Sequence, residues 1–569
     1  MNRAISRIIF WVTASLFGLL FLTPLLTVIT GGFWVNGRLT ARYLIGVFQN
    51  PIYSEGLFNS LLLALGTTTL VTLIAVPLAW LTNRYEFPGK KWVSGLILVP
   101  MILPPFVGAI GFQQILGPYG GLNALLGLGP EFDWLGRAQY WGVIALQALA
   151  LYPIMYLNAT AALANIDPAM EEAAANLGCR GFRKFRKITL PLMMPGLFAG
   201  GTIVFIWSFT ELGTPLILNY TKCASVQVFD ALKEIGSNPF PYALVLVMLV
   251  CSVALYAVGK FAFGGHAYAM QSKAATVSSA KTVRGLRGLL VLLPFALVIL
   301  VAFTPHLGVI ATSLARPGSW YQTAFPHHLT LDNYVAALGH EMTVGSIRNS
   351  LLYASLAVLF NAILGIAIAF VVVRSDIKGR GILDALAMLP LAVPGLVMAF
   401  GYLAISANLS NLETVKNSPF WQNLLDVRTN PTLFLVIAYS IRRLPYMVRS
   451  AVAGLQQTSV TLEEAAANLG AGFLTTLRRI TVPLITANLI AGALLAFAFS
   501  MLEVSDSLML AQRSDFYPIT KTIYELFQLI GMGQYIAAAL GVWAMAFLAV
   551  TIVGASRILG KKMGAIFRA

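Results

Sequence analysis

Asp167-Pro168-Ala169-Met170-Glu171-Glu172-Ala173-Ala174-Ala175-Asn176-Leu177-Gly178 is a short polar stretch set between long apolar runs. Its residue types spell a helix with both ends marked. Asp167 suits an N-cap, and Pro168 suits the first helical position, where a missing N–H costs nothing. Glu171 and Glu172 lie near the positive end of the helix dipole. Gly178 can take the left-handed conformation that closes a helix. The same words return at Thr461-Leu462-Glu463-Glu464-Ala465-Ala466-Ala467-Asn468-Leu469-Gly470. Positions 171, 178 and 191 answer 463, 470 and 483, a constant offset of 292 residues. A soluble helix written twice at one offset, in a chain this apolar, reads as a duplicated membrane protein.

The composition agrees. Of 569 residues 58% are hydrophobic and 11% charged, and several apolar runs exceed the roughly 20 residues that cross a bilayer. The net charge of +16 gathers in short loops between those runs, which indicates membrane topology and gives no sign of a nucleic-acid partner. Cys179, Cys223 and Cys251 are scattered, without the spacing of a metal site or disulfide framework. His266, His306, His327, His328 and His340 fall in loops or near span ends and form no ligand pattern. The N-terminal run after Arg3 and Arg7 has no small-residue cleavage site and reads as a retained first span.

Twelve spans are expected, at about 8–30, 57–82, 94–116, 139–163, 192–212 and 243–264, then 288–313, 348–373, 382–406, 432–456, 485–508 and 535–558. The fold expectation is therefore an all-α membrane protein of two parallel six-helix repeats. The first repeat covers 1–264 and the second 287–569, with a Ser-, Ala- and Lys-containing linker at 265–286. Further pairs support the duplication: Asn59 answers Asn349, Arg84 answers Arg374 and Pro104 answers Pro394 at an offset of 290, and Pro153 answers Pro445 and Glu211 answers Glu503 at 292. Lys and Arg concentrate in alternate loops, among them Arg84, Lys90 and Lys91, the run Arg180 to Lys187, and Arg374, Lys378 and Arg380. That bias puts both termini and both Glu-Glu-Ala-Ala-Ala helices in the cytoplasm.

Topology needs only a polar, basic loop at these places. Two copies of one small-residue helix suggest docking into a partner, where alanine allows close approach. Glu172-Ala173-Ala174 to Gly178, followed by Ile188-Thr189-Leu190-Pro191, resembles the EAA loop of binding-protein-dependent ABC importer permeases. Glu464-Ala465-Ala466 to Gly470, followed by Ile480-Thr481-Val482-Pro483, resembles it again. The likeness covers essentially the whole chain and implies the type I importer permease fold. It also implies that the loops at 165–191 and 457–483 are coupling helices, with Glu171, Glu172, Ala173, Gly178, Glu463, Glu464, Ala465 and Gly470 meeting two copies of an ABC ATPase subunit. ATP and Mg would sit on those subunits, and no cofactor in this chain. An extracytoplasmic solute-binding protein would deliver the solute, and the setting would be a bacterial inner membrane. The fused layout resembles permeases for ferric iron, phosphonates and thiamine. Where ferric permeases carry Lys-Glu-Leu-Pro, this chain reads Met501-Leu502-Glu503-Val504-Ser505-Asp506, which bears on the solute.

No Gly-x-x-x-x-Gly-Lys-Ser/Thr occurs, so nucleotide binding of that kind falls to another subunit. No catalytic constellation is visible, so an enzyme is not expected. Charges at membrane depth are costly and mark function or internal pairing. Arg442 and Arg443 fall within the tenth span, where the first repeat has Ala150 and Leu151. Glu211, Glu503 and Asp506 lie late in the fifth and eleventh spans. These five residues either line a solute pathway, where the field of the arginine pair would favour a small anionic phosphonate or organophosphate and repel a bare ferric ion, or glue the bundle together through an ion pair of Arg442 or Arg443 with Glu503. Ferric iron and such small anions are the solutes expected from the resemblance and the charges together. An ion-coupled secondary transporter is the alternative reading, although it needs no pair of docking helices.

Overall fold

The computed structural model describes residues 3–35, 37–102, 104–136, 139–234, 238–263 and 280–559. Most of the expected linker at 265–286 and the C-terminal tail from 560 lie outside the described residues. The architecture is helical, with two minor two-residue ribbons. Among the described residues nine helices are long and apolar enough to cross a membrane, or up to eleven if each of two bent pairs is one span. The tenth expected span does form a single helix, Thr432–Gln457. It stands apart from the nine because Arg442, Arg443 and Arg449 interrupt its apolar run.

Two expected spans are bent and two others are cut short. The stretches at 94–116 and 382–406 are each two helices at nearly a right angle: Lys90–Met101 with Pro105–Leu126 at 96°, and Arg380–Leu391 with Gly395–Ser410 at 97°. Prolines explain the bends. Pro104 and Pro394 disfavour a helical residue before them and supply no N–H, so the chain turns there. The eleventh span, expected to reach 508, stops at Met501 and restarts as Ser505–Leu510. The fifth behaves alike, ending at Phe209 and restarting as Gly213–Ile217. Glu211 and Glu503 therefore occupy helix breaks and not helix interiors.

Both of these helices contain a wide π turn, Phe185–Thr189 and Leu477–Thr481, just before Pro191 and Pro483. A proline ring crowds the carbonyl four residues back, and widening the turn relieves that clash without ending the helix.

The first span of each half crosses onto the other half. Ile5–Phe33 packs Phe17 and Phe21 among Tyr353, Met398 and Tyr402, and Tyr402 Oη donates to the Leu20 carbonyl at 2.8 Å. Gly285–Leu314 lies against Pro105–Leu116. Glycines permit both crossings: a Cβ on Gly401 would stand 2.7 Å from the Pro24 carbonyl oxygen, and one on Gly308 would stand 2.4 Å from that of Gly111. Small residues let helix backbones approach closely where lipid offers no hydrophobic drive. At one end of the bundle Tyr85–Glu86 pairs in parallel with Lys281–Thr282, so the loop after the second span and the start of the second half share a side.

Candidate functional site

The duplicated helices are Pro168–Asn176 and Thr461–Asn468. Asp167 caps the first, accepting from the Ala169 N–H at 2.9 Å. The second has no side-chain cap at Val460, and Ser459 Oγ accepts from the Thr461 N–H at 3.3 Å. Their C-terminal ends are alike. Gly178 and Gly470 have φ of +82° and +83°. The next residues, Cys179 and Ala471, donate back to Ala174 and Ala466 at 2.9 and 3.0 Å, the six-to-one bond of a glycine-closed helix.

Of each acidic pair one glutamate turns inward and one outward. Glu171 accepts from Arg84 at 2.7 Å, from Thr189 at 2.7 Å and from Lys184 at 3.1 Å. Burial by itself raises the Glu171 carboxyl, but these bonds outweigh it and hold it below the ordinary 4.5. Glu463 repeats the arrangement, meeting Arg374 Nε at 3.1 Å and Thr481 at 3.1 Å, while Arg374 also donates to the Thr458 carbonyl and hydroxyl at 3.0 Å. Each helix is clamped to the end of the second or eighth span and to the π turn. Glu172, Ala173, Glu464 and Ala465 stay exposed, beside Leu177 and Leu469, which are 88% and 89% exposed. Two nearly naked leucines at matching places are costly to leave in water.

A second site lies at the helix breaks. A cavity of about 150 Å³ is lined by both halves at matching positions: Trp207 with Phe499, Glu211 with Glu503, and Ala150 and Leu151 with Arg442 and Arg443. Arg442 pairs with Glu503 and reaches Asp506 at 3.4 Å, and Arg443 pairs with the other oxygen of Glu503. Arg443 also donates to the Phe499 carbonyl at 3.1 Å and lies 5.5 Å over that ring. Gly395 makes room, since a Cβ there would meet the Arg442 guanidinium at 2.1 Å. The two arginines are thus offset by two carboxylates. Glu211 has no ion-pair partner among the described residues, and its Oε1 accepts from the Thr214 N–H at 3.2 Å. Counted formally, the five groups carry one negative charge. The expectation that the arginine pair presents an anion-attracting field fails on this geometry.

A profile of binding-protein-dependent transport system inner membrane components matches residues 72–263 and again 361–563. The chain belongs to this family. Among its relatives is the ferric transport system permease protein FbpB of Actinobacillus pleuropneumoniae, 28% identical over 481 residues, which are 81% of this chain and 64% of that one. A Haemophilus influenzae protein named for ferric transport, FbpB 1, is 28% identical over 82% of this chain and 70% of its own length. The molybdenum transport system permease protein ModB of Escherichia coli is 31% identical over 172 residues, 29% of this chain and 73% of that one. The aligned part therefore spans about two thirds of the length of the ferric relatives.

Within this permease the duplicated helices are clamped in place, and of the five membrane-depth charges Arg442, Arg443, Glu503 and Asp506 form one ion-pair cluster while Glu211 accepts only from Thr214. Gln147 in the fourth span was not singled out from sequence. It is 2% exposed, lines the cavity, and its Oε1 accepts from Thr67 at 3.1 Å and from Ser208. Its signal in the sequence is an isolated amide within the apolar 140–151 run.

Proposed function

We propose that the chain is a two-half permease subunit of an ATP-driven importer and carries no catalytic group itself. The Pro168–Asn176 and Thr461–Asn468 helices face the cytoplasm with both termini and act as coupling helices, each seated in a cleft of one nucleotide-binding subunit that holds ATP and Mg. The observation that carries this is the matched clamp: Arg84–Glu171–Thr189 and Arg374–Glu463–Thr481 fix two helices with the same Glu-Glu-Ala-Ala-Ala-Asn core so that one small, leucine-tipped face points away from the bundle. A clamp of this kind transmits force. Movement of either helix by an ATPase would pull directly on the second and fifth, or eighth and eleventh, spans, of which the fifth and eleventh reach the cavity.

Solute handed over by an extracytoplasmic binding protein passes between the halves, past Glu211, Glu503, Asp506, Arg442 and Arg443. Ferric iron is the reading favoured here. The two long relatives are named for ferric transport, and the unmatched carboxylate of Glu211 suits a cation. The test is reconstitution with a nucleotide-binding subunit and a solute-loaded binding protein. ATP hydrolysis should rise on adding the loaded binding protein, and iron should accumulate. Uptake that follows an ion gradient and ignores ATP would instead favour a secondary transporter.

A further inference from the structure

At the end of the bundle away from the duplicated helices, two short helices meet across the halves, Ala224–Asp230 and Ile519–Phe527. Ser225 answers Thr520 and Phe229 answers Tyr524, an offset of 295 residues, and each helix hangs from its own half in the same way. The Ala224 N–H donates to Ser60 Oγ at 2.9 Å and the Ile519 N–H to Ser350 Oγ at 2.7 Å. Ser225 and Thr520 donate to the carbonyls of Glu211 and Glu503, both at 2.7 Å, and both glutamates line the cavity. The fifth span runs from the Thr189 clamp towards Glu211 over 20 residues, roughly 30 Å at 1.5 Å per residue, which sets these helices at the far end from the clamp. There the seam is closed ring to ring. Phe229 and Tyr524 lie edge to face, their centroids 6.1 Å apart at 87°. Lys521, which stands where the first half has Val226, completes the contact from one side only. It is 7% exposed, with its ammonium 5.8 Å over Phe229, 5.4 Å over Tyr517 and 5.5 Å over Tyr524. Glu525, one turn on, pairs with it at 2.7 Å. Of these four partners only Phe229 belongs to the first half. Parting the halves would strip the ammonium of that one ring and leave its carboxylate in place, so the contact breaks without stranding a charge.

We infer that Phe229, Tyr524 and Lys521 form a latch on the entry side of the pathway, with Lys521 the positioning residue that keeps the seam shut until a loaded binding protein docks. This rests on the reading of the cavity as the solute pathway. The latch is tied to the duplicated helices by two long elements. Ser60 and Ser350 lie in the first third of Pro51–Arg84 and Glu341–Arg374, each 34 residues long, whose last residues are the arginines of the two clamps. One continuous helix in each half therefore holds a latch helix near one end and a duplicated helix at the other, the kind of rigid element that carries coupling between distant sites.

The test reads access to the cavity from the entry side. The importer with its ATPase subunits is held in right-side-out vesicles, and Ala150→Cys on the cavity wall is labelled with an impermeant maleimide added outside, the protein without that substitution serving as blank. Labelling of the resting complex should be slow, and iron-loaded binding protein outside with ATP inside should speed it. Lys521→Met keeps the apolar stem and removes the charge, and should raise resting labelling at least about fivefold, the lower end of ordinary coupling between sites. Lys521→Arg keeps a cation over the rings and should stay within about twofold of the parent. Phe229→Leu acts from the opposite half and should match Lys521→Met. Resting labelling that is the same in the parent, Lys521→Met and Phe229→Leu would overturn the latch and leave the proposed function standing. ⁵⁵Fe uptake that ignores ATP would overturn the proposed function, and the labelling would still decide the latch.

Discussion

Removing Glu463 tests the clamp where its geometry is tightest. The Arg374 side chain is 6% exposed and that of Glu463 15%, and Glu463→Ala deletes the carboxylate that accepts from Arg374 at 3.1 and 3.3 Å and from Thr481 at 3.1 Å. Stripping one partner from a buried pair costs about 3–5 kcal/mol. Arg374 keeps both bonds to Thr458, and the pair is not wholly dry, so the expected loss is about 2–3 kcal/mol. At 1.4 kcal/mol per tenfold, the Thr461–Asn468 helix should open roughly 30- to 140-fold more often. Amide hydrogen exchange across 461–468 in nanodiscs reads this directly. Glu464→Ala, one residue along and exposed, should change exchange by less than about threefold, since surface charges contribute little. Glu171→Ala should fall between the two, because its partner Arg84 is 31% exposed. Equal exchange in the Glu463 and Glu464 variants would refute the clamp.

Gly470→Val forces a β-branched residue to φ +83°, at a cost of about 1–2 kcal/mol, and nothing lies within 4 Å of the added carbon. It should leave the permease in the membrane but separate ATP hydrolysis from uptake, measured side by side. Gly395→Ala would push a methyl into the Arg442 guanidinium and should lower detergent stability by about 3 kcal/mol. By the same logic Arg443→Gln and Glu503→Gln should each destabilise, and the double variant should recover part of the loss in a thermal melt. The depressed Glu171 carboxyl makes the first helix acid-sensitive: its clamp is intact above the ordinary pKa of 4.5 and is lost as pH falls below that value. A fluorophore at Leu177→Cys should report loosening only below about pH 4.5, and Glu171→Gln should flatten the response. Finally, a cysteine at Lys91 should react with impermeant reagent only from the cytoplasm and one at Asn417 only from outside.

The duplicated helices could be read from sequence because their determinants are local. Asp167, Pro168 and Gly178 each act on the backbone beside them. The partners of Glu171 could not be read, because Arg84 and Thr189 lie 87 and 18 residues away and spacing carries no trace of that meeting. The inward turn of Glu171 and Glu463, against the outward turn of Glu172 and Glu464, is likewise a tertiary fact. The breaks after Phe209 and Met501 were hidden by hydrophobicity that continues through Leu212, Val504 and Leu508 to Leu510. A membrane-depth charge signals cost but not its remedy. Arg442 and Arg443 stand out in the sequence, and a pair of one of them with Glu503 is one of its two readings, whereas that both share Glu503 and Arg442 also reaches Asp506 required the fold. Gln147 shows the limit most clearly, since Thr67 and Ser208, which hold its Oε1, lie 80 and 61 residues away.

The exchanged first helices have a consequence for biogenesis. Ile5–Phe33 leaves the ribosome early, yet part of its resting place is the Gly395–Ser410 helix, made about 360 residues later. At about 5–20 residues per second that interval is on the order of 20–70 s. During it the helix must wait in the lipid with Phe17 and Phe21 unsheltered, or lodge against a temporary neighbour. The chain then closes like a clasp, each arm locking over the opposite body. Two halves expressed as separate polypeptides should therefore be poor at holding their shape alone, and should recover it when synthesised together.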